Sequence, residues 1–284
     1  MKKLGTICIV VFCALTGTAV ADSPLERGRY LVEGILTCGN CHTPRVPGGA
    51  LDTKRLHSGG PQVWETSEYT VRGSNITPDR QTGLGAWSVD DVRHAIRDGV
   101  RPNGQQLAPQ MPYAYYKIFT PRDLDAVVAY VRSLPAVQNK VAPPVYKTSG
   151  KMRVEIPAGA EKPMPESAME DPVKRGFYLV TIGHCMECHT PWVNERPDLK
   201  NSLGKGGEVF KGPFGVSVSR NITSHKEKGI GAWSDAEIKR AITQGVRKDG
   251  SKLLPPMGYG WYARMTEQDL DAIVAYLRTV PPKD

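Results

Sequence analysis

The chain has 284 residues, of which 40% are hydrophobic and 23% are charged, so it is long enough for more than one small folded domain. Its formal net charge is +8, but the basic residues form no run, which argues against a nucleic-acid-binding protein. No apolar stretch beyond residue 20 approaches the length that crosses a membrane, so we expect no transmembrane segment in the mature chain.

The first 21 residues have the pattern of an export signal. Lys2 and Lys3 precede an apolar run over Leu4–Val20, and Ala19–Ala21 fits a signal-peptidase site. An uncleaved membrane anchor is the alternative, although the run is short and is interrupted by Gly and Thr. We therefore predict a cleaved signal peptide at residues 1–21 and an exported protein.

The motif C-x-x-C-H occurs twice, beginning at Cys38 and at Cys185. Two thiols at this spacing can form thioether bonds to the two vinyl groups of one haem, and the adjacent histidine can then bind the iron. A zinc half-site is the alternative, but the sequence lacks the further paired ligands that zinc would need. We therefore predict two covalently bound haem c groups, with Cys38, Cys41, Cys185 and Cys188 as attachment points and His42 and His189 as iron ligands.

The remaining cysteines and the charge agree with two haems. Cys8 and Cys13 lie in the signal, which leaves four of the six cysteines, and all four belong to the two motifs. Loss of Lys2 and Lys3 lowers the net charge from +8 to +6. Two ionised propionates on each haem then bring it to about +2. Most of the apparent basicity is therefore a counter-charge for haem.

Internal matches predict a tandem repeat. Arg27–Val32 matches Arg175–Val180 at an offset of 148 residues, and Asn75–Thr77 matches Asn221–Thr223 at an offset of 146. The segment between the copies is rich in proline and has little apolar periodicity, as is typical of an extended linker. The predicted division is domain 1 at residues 22–137, a linker at 138–171 and domain 2 at 172–284.

Each copy has three helical patterns. In the first copy, one helix begins at Pro24 and ends near Thr37, a second is capped by Ser88 and runs to Gly99, and a third begins at Thr120–Pro121. The second copy repeats them, with helices over 234–245 and 266–280. Gly28 and Gly176 would let the terminal helices of each copy approach closely. The predicted fold is therefore all-α, a tandem repeat of two domains with one haem each.

The repeat also selects candidates for the sixth iron ligand. Among the eight methionines only Met111 and Met257 correspond, and both are flanked by turn-forming prolines or glycine. Core filling is the alternative role of a methionine, but it would not explain the pairing. The histidines outside the motifs have no counterparts, which argues against a second histidine ligand; they are His57, His94, His184 and His225. We therefore predict Met111 and Met257 as iron ligands.

Three further repeated pairs are candidates for contacts with the haem propionates. They are Trp87 with Trp233, Asn75 with Asn221, and Arg101 with Arg247. An indole N–H, an amide or a guanidinium can each bind a carboxylate. Core packing remains an alternative for the tryptophans, turn formation for the asparagines, and a solvated position for the arginines.

These motifs resemble class I cytochromes c. Ser74–Pro78 (S-N-I-T-P), Gly83–Ser88 (G-x-G-x-W-S) and Leu124–Tyr130 (L-D-A-x-x-A-Y) are similar to cytochrome subunits of membrane-bound quinoprotein alcohol dehydrogenases and of flavin-linked gluconate or fructose dehydrogenases. The resemblance implies His/Met-ligated haems that pass electrons from a periplasmic dehydrogenase to the respiratory chain. Those subunits usually carry three haems and are membrane-attached, whereas this sequence has two motifs.

The expected function is therefore electron transfer by a periplasmic dihaem cytochrome without catalytic residues. A dehydrogenase would donate the electrons, and another cytochrome or a terminal oxidase would accept them. The alternative is a haem enzyme, such as a dihaem peroxidase or a haem-based dehydrogenase. That chemistry needs an open coordination position, whereas the sequence offers a methionine for each iron.

Overall fold

The computed structural model describes residues 23–148, 152, 154–212 and 214–284. The predicted signal peptide, with Cys8 and Cys13, lies outside the described residues. We call residues 23–137 the N-terminal half and residues 172–284 the C-terminal half. Within the described ranges, no helix combines the length and the apolar character needed to cross a membrane.

The helices follow the same order in the two halves. Those of the N-terminal half are α1 (Pro24–Val32), α2 (Cys38–His42), α3 (Val89–Asp98), α4 (Tyr113–Tyr116) and α5 (Pro121–Ser133). Those of the C-terminal half are α6 (Pro172–Ile182), α7 (Cys185–Cys188), α8 (Asp235–Gln244), α9 (Tyr259–Tyr262) and α10 (Glu267–Thr279). Short 3₁₀ helices lie at Thr53–Arg55 and Glu166–Glu170.

Local capping explains most helix boundaries. At the start of α3, the Ser88 hydroxyl accepts from the Asp91 N–H and the Asp91 carboxylate accepts from the Ser88 N–H, while Gly99 ends the helix at φ 67°. These predicted boundaries are confirmed. The end of α1 was predicted near Thr37, but the helix ends at Val32. The C-cap residue Glu33 has φ −93° and ψ 0°, and the turns that follow lead to Thr37, which is left-handed at φ 48° just before the first motif.

The terminal helices of each half pack closely, α1 against α5 and α6 against α10. A methyl group added to Gly28 would lie 2.0 Å from the Ala126 carbonyl oxygen, and one added to Gly176 would lie 1.9 Å from that of Ala272. The prediction that these two glycines permit the close approach is confirmed.

The prediction of an all-α tandem repeat is wrong, because the structure contains three small antiparallel sheets and the fold is mixed. The strands are β1 (Val63–Glu65), β2 (Tyr69–Arg72), β3 (Val145–Tyr146), β4 (Trp192–Val193), β5 (Arg196–Pro197), β6 (Val209–Gly212) and β7 (Gly215–Val218). The sheets are β1-β2-β3, β4-β5 and β6-β7. The halves therefore share the order of their helices and one equivalent hairpin, β1–β2 and β6–β7, but a third strand, β3, pairs only with the first hairpin among the described residues.

The strands were not predicted from the sequence because they are short, and most of their residues outside β2 are not fully buried. Each has two to four residues. The valines that open β1 and β6, Val63 and Val209, are 44% and 49% exposed. β2 does alternate, with Tyr69 and Val71 buried, but its four residues are at the lower limit of the run length from which alternation predicts a strand.

One hydrophobic core extends through both halves. Phe119 of the N-terminal half meets Tyr178 of the C-terminal half edge to face, with ring centroids 6.4 Å apart. The proline-rich segment between the halves also contributes buried Ala160 and partly buried Met164. The two halves are thus packed against each other, and the cofactor motifs lie close to their interface.

Candidate haem sites

Each C-x-x-C-H motif forms a short helix directly after a left-handed residue, Thr37 at φ 48° and His184 at φ 42°. The four described cysteines are free, partly buried thiols. Burial raises the pKa of Cys38 to about 12 and that of Cys41 to about 11. Burial also raises the pKa of Cys185 to about 12 and that of Cys188 further. The four thiols are therefore protonated at neutral pH.

The two motif histidines are oriented in the same way. Nδ1 of His42 lies 2.7 Å from the Ser74 carbonyl oxygen, and Nδ1 of His189 lies 2.7 Å from that of Arg220. A carbonyl oxygen only accepts, so Nδ1 carries the proton and Nε2 offers a lone pair. Burial lowers the pKa of His42 to about 4 and also lowers that of His189. Both imidazoles are therefore neutral, as metal binding requires.

Two glycines pack closely against the backbone of the first motif. A methyl group added to Gly60 or Gly73 would lie 1.9 Å or 2.0 Å from the Cys41 carbonyl oxygen. The loop that ends at Gly73 leads directly into Ser74, whose carbonyl orients His42. Close backbone packing therefore fixes both the attachment helix and the group that orients the histidine.

The structure assigns Asn75 and Asn221 to loop support. The Asn75 amide donates to Val137 O at 2.8 Å, and its side-chain oxygen accepts from the Thr77 N–H at 2.9 Å. The Asn221 amide donates to Lys283 O at 2.7 Å. Each asparagine directly follows the residue whose carbonyl orients a histidine. These bonds agree with the turn-forming role that was the alternative for the asparagines, and contact with a propionate stays a prediction.

The predicted methionine ligands lie in loops beside the motifs. Met111 and Met257 are partly buried and pack against the same hydrophobic core as Cys38 and Cys185. Burial raises the pKa of Tyr116, five residues after Met111, with smaller contributions from Cys38 and Cys41. Tyr262, five residues after Met257, has the same relation to Cys185 and Cys188. The methionine loop of each half therefore lies near its own motif, and iron ligation by the methionines stays a prediction.

Two buried arginine nitrogens have no hydrogen-bond partner in the part of the chain that the structure describes. They are Nε of Arg101 and Nε of Arg240. Arg247, the predicted counterpart of Arg101, contacts Ser251 and Asp249 instead. An anionic group therefore fits Arg101 in the N-terminal half and Arg240 in the C-terminal half. Arg240 was missed because His94 occupies the matching position, so the repeat gives no signal for it.

The predicted tryptophans Trp87 and Trp233 are partly buried against the core. Their carbonyl oxygens accept from Arg132 at 2.7 Å and from Arg278 at 2.5 Å. These bonds join the start of α3 to α5 and the start of α8 to α10. A propionate contact of either indole stays a prediction.

The methionine loops also reach across to the opposite motif. A methyl group added to Gly39 would lie 2.4 Å from the indole ring of Trp261, four residues after Met257. Tyr115, four residues after Met111, is influenced by Glu187 and Cys188, which add to burial in raising its pKa. Glu187 likewise adds to burial in raising the pKa of Cys41. The two motifs are therefore neighbours across the interface.

Two crossed ion-pair networks hold the halves together. Arg27 binds Asp123 through two bonds of 2.7 Å, and the Tyr178 hydroxyl of the other half donates to Asp123 at 2.8 Å. In the matching network, Arg175 binds Asp269 at 2.5 Å and the Tyr30 hydroxyl donates to Asp269 at 2.5 Å. Each carboxylate thus receives an arginine from its own half and a tyrosine from the other. We call these two networks the crossed locks.

The donor set fits a covalently attached haem. Each half offers a pair of reduced thiols, a neutral histidine with Nε2 free to bind a metal, and a buried arginine nitrogen available to an anion.

Comparison with known proteins points to the same cofactor. The model of the cytochrome c family matches residues 173–281. This match supports covalent haem c in the C-terminal half. Because it does not include the N-terminal half, it also fails to support the predicted pair of equivalent domains.

Relatives along most of the chain carry related names. A gluconate 2-dehydrogenase cytochrome c subunit from Pantoea cypripedii is 31% identical, over 99% of this chain and 64% of that protein. A cytochrome c subunit of a quinone-dependent alcohol dehydrogenase from Gluconacetobacter polyoxogenes is 29% identical, over 98% of this chain and 61% of that protein. A diheme cytochrome from Cereibacter sphaeroides is 29% identical, over 95% of this chain and 88% of that protein. The chain spans about three fifths of the length of the first two relatives.

Proposed function

Because the chain contains a cytochrome c domain and is related along nearly its whole length to cytochrome c subunits of dehydrogenases, we propose that it is a dihaem electron-transfer protein. It takes electrons from a dehydrogenase and passes them towards the respiratory chain. The main support for the proposal is an arrangement that occurs in both halves. In each, a backbone carbonyl oxygen 2.7 Å from Nδ1 orients a neutral histidine beside two thiols.

Different residues of each half would contact different parts of the haem. The two cysteines of each motif would attach the haem through thioether bonds, and the histidine would bind its iron through Nε2. Haem, when bound, supplies a one-electron couple between ferrous and ferric iron. Met111 and Met257 would be the second protein ligands of the two irons, and ligation of both irons by protein would favour electron transfer over catalysis. Arg101 and Arg240 balance the propionate charge.

The proximity of the two motifs supports transfer between the halves. Trp261 from the loop of Met257 packs on Gly39 of the first motif, and Tyr115 from the loop of Met111 lies near Glu187 of the second. The contact of Trp261 with Gly39 therefore favours electron transfer between the two haems within one molecule.

The partners and location follow from the relatives and the N-terminal sequence. The relatives are subunits of gluconate, alcohol and fructose dehydrogenases, which favours a dehydrogenase as electron donor. A second cytochrome or a terminal oxidase is the acceptor. The charged, apolar and A-x-A segments of residues 1–21 favour export to the periplasm.

The proposal is tested by haem content and by reduction kinetics. Protein made with a haem-attachment system should gain the mass of two haems, and these should stay bound in acidified organic solvent. The paired substitution Cys38→Ala and Cys41→Ala should leave one haem, and so should the matched pair Cys185→Ala and Cys188→Ala. A single haem in the unaltered protein would contradict the dihaem assignment.

The choice between carrier and enzyme rests on turnover. A purified dehydrogenase with its substrate should reduce both haems, and peroxide should not be consumed. Peroxide turnover at typical enzyme rates, roughly 1–1000 per second, would reject the carrier function and favour a haem enzyme.

A further inference from the structure

Matching hairpins occur in the two halves, β1–β2 in the first and β6–β7 in the second, at an offset of 146 residues. In the first half β3, from the segment between the halves, pairs antiparallel with β2. Over residues 23–148, 152, 154–212 and 214–284, no strand pairs with the outer edge of β7. One hairpin is therefore covered and its counterpart is open.

The backbone groups on the two edges correspond. In the first hairpin the Thr66 N–H donates to Tyr69 O, so the backbone groups of Glu68 and Thr70 face outward, and the Lys147 N–H indeed donates to Glu68 O at 2.8 Å. In the second hairpin the Ser219 N–H donates to Glu208 O at 2.9 Å, so the same alternation turns the backbone groups of Val216 and Val218 outward.

The open edge is apolar. Val216 and Val218 are 59% and 42% exposed, and Val209 beside them on β6 is 49% exposed. An uncovered edge of this kind is a template for pairing with another extended segment. In the covered hairpin the chain itself supplies such a segment, Val145–Tyr146, with a β-branched and an aromatic residue.

The two hairpins differ in the charge that a strand paired to the edge would meet. In the first half Lys147, just after β3, donates to the Glu65 carboxylate of β1 at 2.9 Å. The residue that matches Glu65 in β6 is Lys211, which is exposed. A strand in the matching place on β7 would therefore need an acidic residue where β3 is followed by lysine.

We propose that the outer edge of β7, Gly215–Val218, is a docking site for an extended acidic segment of a partner protein. The segment pairs antiparallel with β7, as β3 pairs with β2, and its carboxylate meets Lys211. Main-chain hydrogen bonds supply the affinity and the charge pair supplies the specificity. This proposal goes beyond electron transfer and does not depend on the number of haems.

The test uses peptides derived from the segment that covers the first hairpin. The acidic probe is the peptide of residues 143–148 with glutamate in place of Lys147, and the control probe keeps the lysine. Added to the haem-loaded protein, the acidic probe should shift the amide NMR signals of Val216 and Val218 and slow their hydrogen exchange. The lysine probe should bind about two- to fivefold more weakly, as expected for an exposed charge pair.

Substitutions in the protein complete the test. Lys211→Glu should reverse the preference, so that the lysine probe binds better. Val216→Pro removes an outward backbone N–H, so this variant should not bind the acidic probe. Val216→Thr keeps that N–H, so this variant should bind the probe normally. The haem spectrum verifies that each variant is folded. Absence of binding by the acidic probe at millimolar concentration, or binding that Lys211→Glu leaves unchanged, would overturn the docking site and leave the electron-transfer function untouched.

Discussion

At the scale of single residues, the two central aspartates depend on the crossed locks. Asp123 and Asp269 are 4% and 1% exposed, so each carboxylate has given up nearly all of its water. A buried charge is tolerated only when it is paired and hydrogen-bonded, and the loss of one partner is costly. The cross-half tyrosines therefore satisfy oxygens that the arginines alone leave incompletely bonded.

The pKa of Tyr30 makes the stability of the protein depend on pH in the alkaline range. Burial, together with the charge of Asp269, raises the pKa of Tyr30 to about 12 from its ordinary 10.0. Between these values the unfolded chain has lost the tyrosine proton while the folded chain retains it. The unfolded state thus binds fewer protons, and the free energy of unfolding falls as the pH rises from about 10 to 12.

We predict that Tyr30→Phe removes part of this alkaline fall. Urea unfolding measured at intervals from pH 9 to about pH 12 gives the free energy of unfolding for each variant. Tyr146→Phe is the matched control, because Tyr146 packs in the small cluster around β2 and not at the locks. An equal alkaline fall in Tyr30→Phe and in the unaltered protein would exclude the proposed linkage.

The predicted iron ligands are tested by isosteric substitution. Met111→Leu preserves volume but removes the sulfur, so it should lower the midpoint potential of one haem and leave the other unchanged. Met169→Leu, a partly buried methionine outside both motifs, should change neither potential. Spectroelectrochemical titration measures both couples. If Met111→Leu and Met169→Leu behaved alike, the ligand assignment would be wrong.

At the scale of elements, the contact between α1 and α5 depends on the absence of one methyl group. A methyl on Gly28 would lie 2.0 Å from Ala126 O, a distance that forces the two helices apart. We predict that Gly28→Ala destabilises the protein by about 1–3 kcal/mol despite the better helix propensity of alanine. Thermal unfolding followed by circular dichroism measures the loss.

Gly260 in α9 supplies the matched control for this helix contact. A methyl group there would meet no atom within 4 Å. Gly260→Ala should therefore be neutral or slightly stabilising. Equal stability of the two alanine variants would show that α1 and α5 can separate without cost.

The elements that sequence predicts well are those whose signals are local. Ser88, Asp91 and Gly99 define both ends of α3 by contacts within one or two turns, and the structure has them in those roles. The strands are different, because β3 exists only through pairing with β2, more than seventy residues earlier in the chain. Its two residues carry no periodic pattern that could announce it.

The same division applies to the candidate sites. The motif cysteines and histidines are adjacent in sequence, so their chemistry could be predicted directly. The carbonyls of Ser74 and Arg220 belong to other segments and meet the motif histidines only after folding. The repeat favoured Arg247 because it matches Arg101, whereas packing places the buried, unpartnered nitrogen on Arg240.

At the scale of the whole molecule, the shared core and the crossed locks make the halves one unit. The packing of Phe119 on Tyr178 and the bonds of Tyr30 and Tyr178 all cross the interface. The sequence could not predict that Trp261 packs on Gly39 or that Tyr115 lies near Glu187, because both depend on how the halves dock.

We predict that the combined substitution Tyr30→Phe and Tyr178→Phe uncouples the halves. The unaltered protein should unfold in a single calorimetric transition, whereas the double variant should show two. Tyr113→Phe is the control, because its hydroxyl accepts from the Gln106 amide at 2.7 Å within the N-terminal half. A single transition in the double variant would show that the remaining contacts between the halves, core packing and ion pairs such as that of Arg264 with Glu33, are enough to couple them.

The crossed locks have a consequence at high protein concentration. Each half supplies the tyrosine that the aspartate of the other half needs, and a second copy of the chain carries the same tyrosine in the same place. Two chains can therefore exchange halves and form a domain-swapped dimer in which every lock is rebuilt between molecules. The tether between the halves opposes this exchange by holding them at an effective concentration in the millimolar range. The balance between closed monomer and exchanged dimer is therefore set by the length and anchoring of that tether, not by the chemistry of the interface.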